Sequence, residues 1–298
     1  MEAGARQIAA RPASGLTAPF IAADVGGTHA RVGLIRPRSS GQPVLEQYER
    51  YVCADYPNLG AILREFLKSL PATVIGEAAI ACAGYCLDGT IINTNLAWTV
   101  SLDQIRAELN PARVEFVNDF EAVAYATPHL DVSETTLLTP PGELLPQAPT
   151  VIVGPGTGLG AAVRIPFGDG HVVLATEAGQ AAFAPTTDRE IEVLRVLRRN
   201  VSHVSIEHVL SGPGLVNLYA ALGELQRAEA VLRSPAEITR AAIDRADPLA
   251  HEALDTFCGL MGSVLGDLVL LYGAQGGAFL AGGILPQIKS HLLRSSFV

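Results

Sequence analysis

Apolar and polar positions alternate along the chain in a way that predicts strands interleaved with helices. Phe20–Val25 and Ala30–Ile35 are short apolar runs on either side of Gly26-Gly27, the pattern of two strands joined by a tight turn. Gln47–Cys53 gives a third strand. Pro57 then stands where a first helical residue is expected, ahead of a stripe at Leu59, Ile62, Leu63, Phe66 and Leu67 with helical spacing. Ala78–Ala83 is a further apolar strand, Leu102–Leu109 a short helix, and Val114–Val117 a strand that ends in Asn118-Asp119, with a helix-like run after it. Thr127–Pro149 is rich in Pro and Thr and weakly periodic, which predicts a crossing between domains. Strands follow at Thr150–Val153, Ala161–Ile165 and His171–Ala175. Helices are then predicted over Asp188–Arg199, Gly214–Leu222, Pro235–Ala246 and Pro248–Tyr272, with Ala278–Ala281 a strand and Ile284–Leu293 a last helix. Strands alternating with helices are the signature of an α/β protein.

The pattern also repeats. Phe20–Ile35 reads strand, D-V-G-G-T, strand, and Val151–Ile165 reads strand, G-P-G-T-G-L-G, strand, with Thr28 and Thr157 in similar places. Two halves that each carry this unit suggest two related domains facing one ligand. Gly-rich turns expose backbone N–H groups without a Cβ in the way and can wrap phosphate oxygens. Gly26, Gly27 and Thr28 form one such turn, and Gly154, Gly156, Thr157, Gly158 and Gly160 the other. Ordinary hairpins need glycine as well. Asp24, just before the first turn, is placed to hold Mg²⁺ through water, since that ion prefers oxygen and keeps its hydration.

Composition narrows the classes. The 298 residues are 49% hydrophobic and 17% charged, enough for a sizeable core. Lys and Arg total 21 against 30 Asp and Glu, a net charge of −9 that argues against a nucleic-acid surface. The cysteines, Cys53, Cys82, Cys86 and Cys258, include no C-x-x-C pair and read as buried thiols in a reducing cytoplasm. Residues 1–19 lack the apolar stretch of a signal peptide and read as a disordered leader. The most membrane-like window, Phe257–Tyr272, is interrupted by Gly259, Gly262, Gly266 and Asp267 and is too short to span, so a buried helix is expected. No Gly-Lys pair exists for a Walker loop. A dinucleotide fingerprint at Gly156–Ala161 fails because a strand, not a helix, follows.

Asn118-Asp119 has two readings. Asn and Asp cap helices, and a strand end opening on a helix is also where α/β proteins place their chemistry. Arg31 could neutralise phosphate or make a structural pair. Trp98 is expected to pack, and His29, His203 and His208 to be solvated or structural. Ser211-Gly212-Pro213-Gly214 reads as a helix start.

Seven motifs in order then become recognisable: D-V-G-G-T-H-A-R (24–31), T-N-L-A-W (94–98), V-N-D-F-E-A-V-A (117–124), G-P-G-T-G-L-G (154–160), E-A-G-Q-A-A-F-A-P (177–185), E-H-V-L-S-G-P-G-L-V-N-L-Y (207–219) and F-L-A-G-G-I-L-P (279–286). Together, from about Phe20 to Val298, the chain resembles the bacterial glucokinase family in its ATP-dependent form. The resemblance implies two α/β domains of the actin-like, ribonuclease H-like type with an interdomain cleft, here 20–127 (smaller) and 128–298 (larger). It implies transfer of the ATP γ-phosphoryl group to the 6-hydroxyl of D-glucose or a related hexose at the entry to glycolysis. Asp119 matches the catalytic base; Asn95, Asn118, Glu177, Gln180 and Glu207 match sugar-side positions; Gly282 and Gly283 match a loop near the nucleotide. ATP and Mg²⁺, a cytoplasmic location, a homodimer and no nucleic-acid or membrane partner are implied as well. Carboxylates and amides suit a neutral ligand dense in hydroxyls.

The chain departs from that family's pattern in two places. Gln180 stands where members carry His in E-G-G-H, with Ala178 in place of a Gly, and altered sugar selectivity is expected. Members also continue beyond the residues matching Ser296-Phe297-Val298, with a strand and a helix returning to the smaller domain, so either the sequence is truncated or a natural short form lacks that brace, with domain closure expected to suffer. The rival from another class is a non-catalytic sugar-binding sensor on the same fold. A nucleotide-binding oxidoreductase is disfavoured by the strand after the second turn.

Overall fold

The computed structural model describes residues 18–297 apart from 39–42, 72–74, 76, 93–95, 97, 110–112, 132, 134, 141, 143–144 and 169. It divides into two compact units, Met1–His129 and Leu130–Val298. Most of the expected leader lies outside the described residues, as does Asn95.

In the first unit, β1 (Phe20–Val25), β2 (His29–Arg36) and β3 (Val44–Val52) form an antiparallel meander. Helix α1 (Leu59–Lys68) follows, then β4 (Glu77–Cys82), three short strands β5 (Tyr85–Leu87), β6 (Thr90–Ile92) and β7 (Val100–Ser101), helix α2 (Leu102–Leu109), β8 (Arg113–Val117) and helix α3 (Asp119–Ala126). The main sheet runs β3-β2-β1-β4-β8, with β4 parallel to both β1 and β8. Alternation along β1 sends Ile21, Ala23 and Val25 into a core with Leu59, Ile62, Leu63 and Phe66 of α1 and Ile105 of α2. Burying each of the larger side chains contributes about 1.5–3 kcal/mol. The opposite face carries Asp24, Arg31, Gly33, Tyr48, Ala81 and Val117, which line an open cavity of about 370 Å³.

One expectation is corrected here. Pro57 does not open α1: Asn58 is the N-cap, its side chain accepting from Ala61 N–H at 2.9 Å, so Pro57 precedes the cap. The small sheet β5-β6-β7 was not foreseen, although its signal is present. Asp88 and Gly89 both have positive φ (48° and 75°), which is the hairpin turn that Asp-Gly favours. Trp98 packs against the first core as expected, its Nε1 donating to the Cys53 carbonyl at 3.2 Å.

The second unit contains β9 (Thr150–Pro155), β10 (Leu159–Phe167) and β11 (Gly170–Thr176), then helices α4 (Asp188–Leu197), α5 (Gly212–Gln226), α6 (Pro235–Ile243) and α7 (Pro248–Tyr272), strand β12 (Ala278–Leu280) and helix α8 (Leu285–Leu292). The sheet order is β11-β10-β9-β12, with β12 parallel to β9 and the other pairs antiparallel. This is the order and sense of β3-β2-β1-β4, so the repeat seen in the sequence has a counterpart in topology. Asp247 caps α7 through Leu249 and Ala250 N–H and also accepts from the Tyr219 hydroxyl at 2.7 Å, pinning α5 to α7. Helix α7 extends nine residues N-terminal to the window Phe257–Tyr272 and, by length and composition, is long enough to cross a membrane. Leu254, Phe257, Cys258 and Met261 are nonetheless buried in the second core, while Leu270 and Leu271 at its end are exposed. Cys53, Cys82 and Cys258 are buried free thiols, and burial pushes Cys258 up to about 12.

Candidate functional site

Of the pair Asn118-Asp119, the first takes the capping role. Asn118 is the N-cap of α3: its Oδ1 accepts from Phe120 and Glu121 N–H, and Glu121 Oε2 reaches back to Asn118 N–H, a complete capping box. The cap therefore does not need Asp119. That residue begins α3, two positions after the carboxyl end of parallel strand β8, where open α/β sheets place ligands. Burial raises its pKa above the ordinary carboxylate value. A bond from Phe120 N–H opposes the shift, and the charge of Asp24 adds to it. A carboxyl group kept basic in this way suits proton abstraction from a hydroxyl.

Asp24 lies on β1 and is ion-paired to Arg31, Nη1 to Oδ2 at 2.6 Å, both side chains about half exposed (49% and 50%). The structural alternative for Arg31 is thus the one seen. Among the described residues no group of three or more His, Cys, Asp or Glu could hold a metal ion. One half-exposed carboxylate fits an ion that keeps its water and takes most of its other ligands from phosphate, which is the behaviour of Mg²⁺. Among the described residues, the N–H groups of Gly27 and Thr28 in the first turn have no partner. Gly26 N–H is used within the turn, donating to the His29 carbonyl at 3.0 Å.

In the second unit the glycines sort themselves further. Gly154 and Gly160 are not in the turn; they face each other as a pair in β9 and β10. The turn itself is Gly156–Gly158. Gly156 N–H donates to the Gly158 carbonyl at 2.8 Å, and among the described residues Thr157 and Gly158 N–H have no partner, so they can meet an anion. Gly282 lies against this turn with φ of +104°, and a Cβ there would stand 2.5 Å from the Pro155 carbonyl oxygen. Gly283 follows, at the start of α8.

Glu177 precedes a short 3-10 turn, Ala178–Gln180, and is exposed. Ala178 has no positive φ, so its Cβ carries no backbone cost. Glu207 is partly buried. Its Oε2 accepts from Leu159 N–H at 2.8 Å, and its Oε1 accepts from Gln180 Nε2 at 3.2 Å. Residues far apart in sequence (158–159, 180 and 207) are thereby brought together, and no local sequence signal announces that link. His208 Nδ1 binds Ser205, and His203, which is exposed, bonds through Nε2 to the Gln180 carbonyl at 2.9 Å. Ser211 is the N-cap of α5, accepting from Gly214 N–H at 2.9 Å.

Comparison with known proteins gives the family. The family model described as Glucokinase matches residues 21–298. A "Glucokinase-like protein" of Xylella fastidiosa (strain 9a5c) is 48% identical over 282 residues, covering 94% of this chain and 84% of that protein. A "Glucokinase" of Paramagnetospirillum magneticum is 40% identical over 281 residues, covering 93% and 85%. Among solved structures, a glucokinase from an Antarctic psychrotroph superposes with a TM-score of 0.84 at 35% identity, covering 94% of this chain and 87% of that one. With its actin-like α/β fold, the chain belongs to the glucokinase family.

Proposed function

We propose that the chain is an ATP-dependent hexose kinase that transfers the γ-phosphoryl group to the 6-hydroxyl of D-glucose, giving glucose 6-phosphate. The observation that carries this reading is Asp119. It is a carboxyl group freed from capping by Asn118, at the carboxyl end of β8, with its pKa raised by burial and by the Asp24 charge. A primary hydroxyl is a poor nucleophile, and a carboxylate in reach orients it and takes its proton as the P–O bond forms. Asn118 Nδ2, Glu177, Gln180 and Glu207 offer the donors and acceptors that a neutral polyol needs, with Asn95 assigned to the sugar side by resemblance alone. The free N–H groups of Gly27, Thr28, Thr157 and Gly158 meet the donor's phosphates, with Gly282 and Gly283 beside the second turn. Mg²⁺ neutralises phosphate charge when bound, and Asp24 is the residue that would hold it through water. In line with the family, the reading assigns a cytoplasmic homodimer working at the entry to glycolysis, with no nucleic-acid or membrane partner.

The test is Mg·ATP-dependent phosphorylation of a panel of hexoses, with Asp119→Asn as control. Turnover of glucose that the substitution abolishes supports the kinase and its base together. A second reading, a sugar-binding sensor, is favoured by Gln180, whose amide is already committed to Glu207. Binding of glucose with no turnover on any hexose would select it.

A further inference from the structure

The second glycine turn is held from outside by one side chain. Glu207 Oε2 receives the Leu159 N–H at 2.8 Å, immediately after the turn, and lies so close to Gly158 that a Cβ there would overlap it. Its other oxygen receives Gln180 Nε2 at 3.2 Å. The same segment grips the turn a second time, because Gly212 N–H donates to the Gly156 carbonyl at 2.8 Å. Ser211 Oγ donates to the Glu207 carbonyl at 2.8 Å and stiffens the segment between these two grips. Gly179 closes on the far side, where a Cβ would stand 2.6 Å from the Leu159 carbonyl oxygen. A carboxylate has about four lone-pair sites, and two are used here. Glu207 can therefore accept sugar hydroxyls without letting go of the turn.

We propose that Glu207 is a positioning residue for the phosphoryl donor as well as a sugar acceptor: through Leu159 N–H it sets the Thr157 and Gly158 N–H groups, so that hexose and nucleotide affinities are coupled. The inference rests on the kinase reading above. It follows from geometry, because the hydroxyl acceptor and the brace of the phosphate turn are one carboxylate. Coupling of this kind is reciprocal, so a sugar that fixes Glu207 tightens nucleotide binding by the factor by which nucleotide tightens sugar binding.

The experiment compares Glu207→Ala with Glu207→Gln. Each is titrated with a non-hydrolysable ATP analogue, with and without glucose, beside KM values for ATP and glucose. Glu207→Ala removes both ties, and weakening of the analogue by roughly tenfold is expected, the size of one lost charge-assisted hydrogen bond. Glu207→Gln keeps them: its amide oxygen accepts from Leu159 N–H, and its amide nitrogen donates to a flipped Gln180 side chain. It should restore analogue affinity to within about threefold of the unaltered chain, by the same bond count, while the KM for glucose stays raised. A residue that only binds sugar would give neither the loss nor this split. Gly158→Ala, which displaces the carboxylate while leaving it in the chain, should weaken the analogue in the same way and not add to Glu207→Ala. Unchanged analogue affinity in Glu207→Ala, or equal loss in the Gln variant, overturns the inference while leaving the kinase reading intact. Failure of the unaltered chain to bind nucleotide at all overturns both. Because binding is read directly, a chain that binds nucleotide without turnover sinks the kinase reading and still tests the coupling.

Discussion

At the first glycine turn, Gly26 N–H closes on His29 and the Thr28 carbonyl accepts from Cys53 N–H at 2.9 Å, with the Cys53 thiol leaning on the Gly26 carbonyl. These partners are the first residue of β2 and the residue that directly follows β3. At the second, the braces come from Glu207, Gly212, Gly179 and Gly282, four places outside the β9-β10 hairpin. The strand order around the two turns is the same. Equal topology therefore does not mean equal mechanics. The first turn lies in the same unit as the two carboxylates Asp24 and Asp119, and the second is a junction where several segments meet.

That contrast can be broken in four ways. The largest effect belongs to the first unit: Asp119→Asn should lower the rate of glucose phosphorylation by about 10²–10⁴-fold, the usual value of a general base, with glucose binding retained in a titration. Loss of binding as great as the loss of rate would remove Asp119 from the chemistry. Next comes the junction. Gly282→Ala forces a side chain onto a φ of +104° and against Pro155, and a stability loss of about 2–4 kcal/mol is expected from the denaturant midpoint. The third effect is on pH. If Asp119 is the base, as proposed, it acts as carboxylate; its pKa is raised, so kcat/KM should fall as pH drops through that raised value. Asp24→Asn removes a negative neighbour and should move this acid limb to lower pH at saturating Mg·ATP; a limb that stays in place would show that the two groups do not interact. The smallest effect is Gly26→Ala, where a Cβ meets only the His29 carbonyl oxygen at 3.5 Å and φ is not positive. Stability should change by less than about 1 kcal/mol, and a loss matching that of Gly282→Ala would erase the contrast between the turns.

The sequence was informative where a few adjacent residues decide the outcome. Short apolar runs gave the strands of the two larger sheets, and the stripe from Leu59 to Phe66 gave α1. It was less informative where very short elements or distant partners decide. Strands β5 and β6 are three residues each, too short for periodicity to register, and only Asp88-Gly89 marked them. Pro57 fitted a first helical position by its own preference, but Asn58 offered a side-chain acceptor and took the cap. The placement of Asp119 at a strand end, behind a capping amide, was legible because those residues are contiguous. The Glu207–Leu159 and Glu207–Gln180 bonds were not, since they join residues 48 and 27 positions apart. Nor could spacing show that Gly154 and Gly160 would be ladder residues rather than turn donors, or that Arg31 would take Asp24.

Each unit carries its own apolar core: Ile21 to Val114 in one, Val151 to Leu292 in the other, and among the described residues no buried side chain belongs to both. Heating such a chain need not give one cooperative transition. A calorimetric trace can hold two overlapping peaks, and a single melting temperature would then average them. A destabilising change at Phe66 and one at Phe257 would erode different peaks. Comparisons of variants in this chain therefore have to state which half was melted.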